Sequence, residues 1–410
     1  MSRVGRAWAA AILAAAVCAA VAGCSDGGER AAPPGGPSPT ATPSTAPTTV
    51  PPLTLAVTPA VNAKNLPVSA EIGTRVTGGS VSTVTLRDSA GKAVAGSLRE
   101  DGSAWVPRSP LKYDRVYTAT VTAAGGGQTM TQTTTFRTMK EPGRRTDTGL
   151  YLFDGHTYGV AMPVVVEFHP GIANKDRAEV QRRMFVTSTP SQPGAWSWVA
   201  NGTQAYYRPP VYWQPGTKVT VRIAVGGHPT GGGRYGDRDR GATATIGRAF
   251  EMKVDNRTKV MSVYQDGRVI RTVPVSLGKR STPSSSGTMV VMEKKASTVF
   301  DTYAELGPRE GYRTEIDFAQ RITWSGQYIH SAPWSVGSQG RRNVSHGCVN
   351  VSPSNARWLF ERTRVGDPIT VLGTERKLAA GDGWTAWNQS WAEFVKGSAL
   401  PVPAELAAAG

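Results

Sequence analysis

The sequence predicts a mostly β protein: two β-sandwiches in series, a third β domain with one short helix, and a Trp-rich cap at the C-terminus. Three observations lead there. Short stretches of alternating apolar and polar residues recur from about residue 53 to residue 373, separated by turns rich in Gly, Asp and Pro. The 46 glycines and 29 prolines, with 39% apolar residues, suit a loop-rich chain better than a helical bundle. A length of 410 residues exceeds what one core supports and implies two to four domains of about 100–150 residues.

Residues 1–23 have the form of an export signal. "MSRVGR" supplies Arg3 and Arg6 without an acid, and "AWAAAILAAAVCAAVAG" is an apolar run too short for a stable membrane span. The run closes on "VAGC", with small residues directly before Cys24, and thereby resembles a bacterial lipoprotein signal. That resemblance implies that Cys24 becomes the new N-terminus and carries lipid; ordinary secretory cleavage near the same place is the alternative. Residues 24–52 continue in Pro, Thr, Ser and Gly with almost nothing large to bury, which predicts an extended tether.

The first sandwich is expected over 53–139, where "STVTLRD" (82–88) and "YTATVTA" (117–123) carry the period of two of a half-buried strand. "KEPGRRTDTG" (140–149) is polar and marks a boundary. A second sandwich is expected over 149–250 from "MPVVVEFHP", "MFVTSTP", "GAWSWVANGTQAYYRPP" and "TKVTVRIAV", with "GGHPTGGGRYGDRDRGATATIG" (226–247) as a solvated loop. The third domain, 251–373, opens with a hairpin about "QDGR". Its "SPSNARWLFERTR" (352–364) is the clearest helix, with Ser352 as N-cap, Pro353 in the first helical position, and Ala356, Leu359 and Phe360 on one face. In 374–410, Trp384, Trp387, Trp391, Phe394 and Val395 fall on one face of a helix, expected to cap the third domain.

The formal charge of +16 favours a polyanionic surface, such as anionic wall polymer or membrane headgroups. Nucleic acid is a poor candidate, because export removes it and no recognition motif occurs.

Of the three cysteines, Cys18 leaves with the signal and Cys24 is the acylation candidate, so Cys348 stands unpaired and no internal disulfide is expected. It lies in "SHGCVN" (345–350). A buried, inert thiol is one reading, but the polar neighbours Ser345, His346 and Asn350, and the free backbone of Gly347, argue against it. A metal site would draw on His330, His346 and Cys348 and would still want a fourth ligand for structural zinc, so no metal is expected. A nucleophile asks less: a thiol that is only a few per cent ionised at neutral pH needs a histidine to take its proton. His346 and His330 are both placed for that, and spacing alone ranks neither.

The segment "YIHSAPWSVGSQGRRNVSHGCVNVSPSNARWLF" resembles the catalytic motif of the L,D-transpeptidases of YkuD type, a histidine followed some sixteen residues later by Ser-His-Gly-Cys-x-Asn. The order of signal, tether, two immunoglobulin-like domains, catalytic domain and Trp-rich tail is similar to the actinobacterial lipoprotein members. The resemblance implies that Cys348 is the nucleophile and His330 the general base, with Ser331 orienting its second ring nitrogen in place of a triad carboxylate. It implies that His346 lines the site and tunes the thiol, that Gly347 and Cys348 supply oxyanion N–H groups, and that Asn350 braces the loop. Tyr312, Phe300 and Trp334 match substrate-binding or lid positions, Phe300 standing where an actinobacterial relative carries methionine.

The implied reaction needs no cofactor. The thiolate takes an acyl group from a peptidoglycan tetrapeptide stem, releases D-alanine, and passes the acyl group to the amine of a second stem as a 3→3 crosslink. Carbapenems are the implied covalent inhibitors, and the implied location is the outer face of the cell membrane, lipid-anchored and reaching into the wall. Hydrolysis by the same groups would give an L,D-carboxypeptidase. A catalytically silent wall-binding lipoprotein is the reading from another class. The hydroxyl-rich "KRSTPSSSG" (279–287) is expected to be a turn into the catalytic sheet.

Overall fold

In the strand Val116–Gly125 every second side chain from Tyr117 to Ala123 is buried, the pattern that the alternation of "YTATVTA" dictates. The same rule builds the rest of this computed structural model, which describes residues 51–410 except Ala200, Thr302 and Tyr312. The export signal, Cys24, most of the tether and the lid candidate Tyr312 therefore lie outside the described residues.

Two four-stranded sheets make the first sandwich. One is ordered Thr54–Thr58, Ile72–Thr77, Ala104–Pro107, Gly96–Leu98, and the other Ala63–Leu66, Gln128–Thr138, Val116–Gly125, Ser80–Asp88. Between them Ile72, Leu86, Trp105, Val121 and Phe136 form a separate core.

The second sandwich sets the four-stranded sheet Thr157–Tyr158, Arg240–Ile246, Lys218–Ile223, Met184–Thr189 against a six-stranded one containing Gln204–Arg208, Val164–His169 and Arg145–Leu150. Two expectations are corrected here. The polar boundary segment contributes the strand Arg145–Leu150, and the supposed solvated loop contains a hairpin, Pro229–Gly231 with Arg234–Gly236, and the interior strand Arg240–Ile246. Burial of Ala242, Ala244 and Ile246 explains the second case, while Asp237 takes the charge of Arg240 at 3.0 Å.

In the third domain a six-stranded sheet runs Arg268–Pro274, Val260–Gln265, Phe250–Asp255, Pro368–Leu372, Ser285–Val290, Arg376–Lys377. The turn at its first edge has Asp266 at φ 49° and Gly267 at φ 78°, the two positive values a type I′ hairpin requires. A four-stranded sheet, Glu293–Asp301, Arg313–Arg321, Tyr328–Ser331, Val349–Val351, faces it across a core of Met252, Val263, Ile329, Val349 and Val351. The helix Pro353–Arg362 closes this core with Ala356 and Leu359, and Ser352 Oγ accepts the Asn355 N–H at 3.3 Å as its cap.

The Trp-rich tail departs from the expected single helix. It forms a 3₁₀ turn, Thr385–Trp387, and a short helix, Trp391–Val395, begun by the cap Ser390. It also packs on a different partner: Trp384, Trp391 and Phe394 join the core of the second sandwich, to which Val290 and Met292 of the third domain also belong. Arg208 of that sandwich is the reason. Its guanidinium lies 4.3 Å from the Trp387 ring, 4.4 Å from Phe394 and 5.1 Å from Trp391, and donates to the carbonyls of Ala386 and Gln389.

Candidate active site

The strand Tyr328–Ser331 runs parallel to Val349–Val351, with Ile329 opposite Val349 and His330 opposite Asn350. Ile329, Val349 and Val351 point into the core, so alternation puts Tyr328 and His330 on the other face, together with Asn350 and, two residues before it, Cys348. A parallel pair needs a crossover, and residues 332–348 supply it, starting with a 3₁₀ turn at Pro333–Ser335 and ending at Gly347, whose φ of 127° suits glycine alone. The crossover thereby returns the thiol beside a histidine eighteen residues earlier in the chain.

A cavity of about 330 Å³ opens on that face. His330, His346, Cys348 and Asn350 line it, with Ser345, Thr314, Trp334 and Val344 around them. Trp334 is 60% exposed and its ring lies 6.0 Å from that of His330. Phe300 is buried, 5.6 Å from His330 and 4.7 Å from Tyr328, both edge-on, and clusters with Cys348, Ile316 and Ala319. The structure thus brings His330, Ser331, His346, Cys348, Asn350, Phe300 and Trp334 to one place.

Ser331 acts here through its backbone: His330 Nδ1 donates to the Ser331 carbonyl at 2.8 Å, which leaves Nε2 as the acceptor nitrogen. Asn350 Nδ2 donates to Ser335 Oγ at 3.3 Å, while its buried Oδ1 has no partner among the described residues. The N–H of Gly347, an expected oxyanion donor, is taken at 3.1 Å by Ser345 Oγ, whose own hydroxyl donates to the Cys348 carbonyl at 2.7 Å. In this state that amide braces the loop, and it reaches an oxyanion only if Ser345 releases it.

Burial pushes the Cys348 thiol up to about 12, although the Tyr328 backbone N–H pulls the other way. Burial likewise pushes His330 down to about 4, against the Ser331 carbonyl and the Asn350 side chain, which favour its charged form. At neutral pH the resting pair is therefore a thiol and a neutral imidazole. The thiol is turned to the Gly326 carbonyl at 3.8 Å, and among the described residues no hydrogen bond links it to His330. Such a pair attacks a carbonyl only with proton transfer to Nε2 coupled to the attack.

Sequence reasoning gave no role to Ser345, Tyr328, Gly326 or Ser335. Tyr328 was within its reach, since a strand side chain two before His330 must share its face. The others are set by the crossover, which has no periodicity.

A family model described as the L,D-transpeptidase catalytic domain matches residues 250–371, and one described as a bacterial Ig domain matches 63–229. Over 351 residues the chain is 36% identical to "L,D-transpeptidase 2" of Mycobacterium tuberculosis (strain CDC 1551 / Oshkosh), covering 85% of each protein. The chain belongs to the L,D-transpeptidase family. It is accordingly an enzyme of acyltransferase type. "L,D-transpeptidase 5" of Mycobacterium tuberculosis (strain ATCC 25618 / H37Rv) is 34% identical over 365 residues, 87% of this chain and 79% of that one. The solved L,D-transpeptidase LdtMt1 in complex with imipenem aligns with 55% of this chain and 97% of its own, at 36% identity and a TM-score of 0.47.

Proposed function

We propose that this L,D-transpeptidase forms 3→3 crosslinks between peptidoglycan stem peptides through a thioester on Cys348. The observation that carries the reading is the parallel pairing of His330 with Asn350, which sets imidazole and thiol on one face of one cavity. Membership in a family whose members are named for this transfer supports the substrate class.

The reaction begins when a donor stem enters beside Trp334 and Phe300. Cys348 Sγ attacks the carbonyl carbon between diaminopimelate and the terminal D-alanine as its proton passes to His330 Nε2. Charge collects on the carbonyl oxygen, where the Cys348 N–H, joined by the Gly347 N–H once Ser345 Oγ releases it, favours it over the planar substrate. Collapse breaks the C–N bond, and D-alanine leaves with the proton from the imidazolium. The amine of the acceptor stem then attacks the thioester and gives its proton to His330, which returns it to sulfur. The Ser331 carbonyl holds the ring in the tautomer that this cycle needs, and His346 and Asn350 complete the wall of the site. Water in place of the amine would give a carboxypeptidase from the same groups.

We also place the enzyme outside the cell, held to the membrane by lipid on Cys24 and lifted into the wall by the 24–52 tether and the two sandwiches. The "VAGC" sequence supports the anchor, and a Cys24→Ala variant is expected in the medium instead of the membrane fraction.

Intact-mass measurement after incubation with imipenem tests the nucleophile. One adduct is expected on the native chain and none on Cys348→Ala; an adduct that survives this change overturns the assignment. Digestion of isolated peptidoglycan after reaction tests the transfer, with 3→3 dimers expected and only shortened monomers excluding it.

A further inference from the structure

We propose that Gln327 is a positioning residue for Cys348, its buried side-chain amide fixing the turns on both sides of the sulfur. The inference rests on Cys348 being the nucleophile, and it gives work to the 279–287 segment, which the sequence presents only as a turn.

Gln327 is 4% exposed, Ser284 1% and Ser285 0%. Polar groups buried so completely are retained only with their partners in place. Gln327 Oε1 accepts the Ser285 N–H at 2.9 Å and Nε2 donates to Ser285 Oγ at 2.8 Å, so one side-chain amide grips one serine by both its groups. The Gln327 N–H is held in turn by Thr323 Oγ1 at 3.0 Å. Next along the chain, Ser284 Oγ accepts from the Gly278 N–H at 2.9 Å and donates to the Gly347 carbonyl at 2.6 Å. The chain of bonds therefore runs from Gln327 through residues 285 and 284 to the peptide that immediately precedes Cys348.

The residues on either side of Gln327 lie against the sulfur. Its neighbour Gly326 offers the carbonyl that the thiol faces at 3.8 Å, and its other neighbour Tyr328 packs against the cluster that holds Cys348. Its own side chain fills the space beside Gly347, where a Cβ would stand 3.5 Å from Gln327 Cγ. Three residues on, in the strand that begins directly after Gln327, stands His330. One side chain thus ties together the backbone that contacts the sulfur, the turn that carries it, and the strand that carries its base.

A displacement of about 1 Å in such an arrangement lowers a rate by roughly two orders of magnitude without changing which groups are present. The test is acylation of the full-length chain by imipenem, followed by intact mass over time at a series of imipenem concentrations. Gln327→Met keeps the length and removes both polar ends. The saturating acylation rate constant is expected to fall about 10- to 100-fold, with the half-saturating imipenem concentration within about threefold of the parent. The pH profile of Cys348 alkylation by iodoacetamide is expected to shift as well, since the sulfur loses its fixed contacts with residues 326 and 328. A folded Gln327→Met protein with the parental rate constant and pH profile, even at a lower melting temperature, overturns the proposal. If that variant fails to fold, Ser284→Ala decides: it removes the bonds to the Gly278 N–H and the Gly347 carbonyl and so cuts the link to the peptide before Cys348, a fall of about 3- to 10-fold in the same constant is expected, and a parental value overturns the proposal. A parent chain that gains no adduct would instead overturn the transpeptidase reading, and this inference with it.

Discussion

The two joints of this molecule are built from opposite materials. The first sandwich meets the second through polar groups: Glu71 pairs with Arg99 of its own sandwich and with the buried Arg183 of the next, Ser69 Oγ lies 2.9 Å from His228 Nδ1, and Arg222 donates to the Pro107 carbonyl at 2.7 Å. The second sandwich meets the catalytic domain through a shared apolar core. Val290, Met292 and the tail residues Trp384, Trp391 and Phe394 belong to it, and Tyr151 stacks edge-on with Trp384 at 5.3 Å. The first sandwich keeps a core of its own. A polar joint between two complete cores is separable; a joint that is itself a core is not. The second sandwich is thus structurally part of the catalytic unit, whereas the first is an attachment to it.

Removing a ring from the shared core should give the largest effect. Trp391→Ala empties a buried position beside Phe394 and Arg208, and a loss of about 3–5 kcal/mol is expected in chemical denaturation of the catalytic unit. A loss below about 1 kcal/mol would show that the tail is an ornament on the sandwich. Glu71→Ala is the matching change at the polar joint. It leaves Arg183 buried without its carboxylate, and a cost of roughly 1–3 kcal/mol is expected. That cost should fall on docking of the first sandwich, read as faster proteolysis between residues 139 and 145, with imipenem acylation unchanged. Equal loss of acylation would dissolve the contrast between the joints.

The helix Pro353–Arg362 and the hairpin about Asp266 and Gly267 were legible because their signals are local: a cap, a proline and a left-handed pair within a few residues. The strand Arg240–Ile246 was not, because the glycines and charges around it hide a short Ala, Ala, Ile alternation. Neither was the seat of the tail, which depends on Arg208 meeting a backbone carbonyl 178 residues away. The site divides the same way. His330 and Cys348 are marked by a motif with fixed spacing, while the bonds that seat them, such as Gln327 to Ser285 across 42 residues, join positions with no common pattern. Chemistry-bearing residues announce themselves by type, but the groups that aim them are ordinary serines and amides whose importance arises only from the fold.

The smallest expected effect is the sharpest test of the contrast, because the two joints should respond to pH with opposite signs. At the polar joint, burial and then the charge of Arg183 push His228 down to about 4 from 6.5. A depressed folded-state value means that the unfolded chain binds more protons between pH 4 and 6.5, so the stability it contributes is complete above about 6.5 and is lost on acidification through that window. At the apolar joint, Asp367 sits under Gly159, whose added Cβ would stand 2.2 Å from its Oδ1. Burial raises Asp367 from 3.8 to about 7, outweighing the Arg364 N–H and the nearby charges of Arg248, Arg364 and Lys294. Here the folded chain binds more protons between pH 3.8 and 7, so its contribution is complete below that window and is lost as pH rises through it. Hydrogen exchange on the full chain at pH 5 and pH 7, corrected for intrinsic rates, should show residues 66–72 and 224–230 less protected at pH 5 and residues 157–162 and 363–369 more protected. Asp367→Asn should abolish the second trend alone and His228→Gln the first alone. Both joints moving in the same direction would mean that their different materials do not govern how they hold.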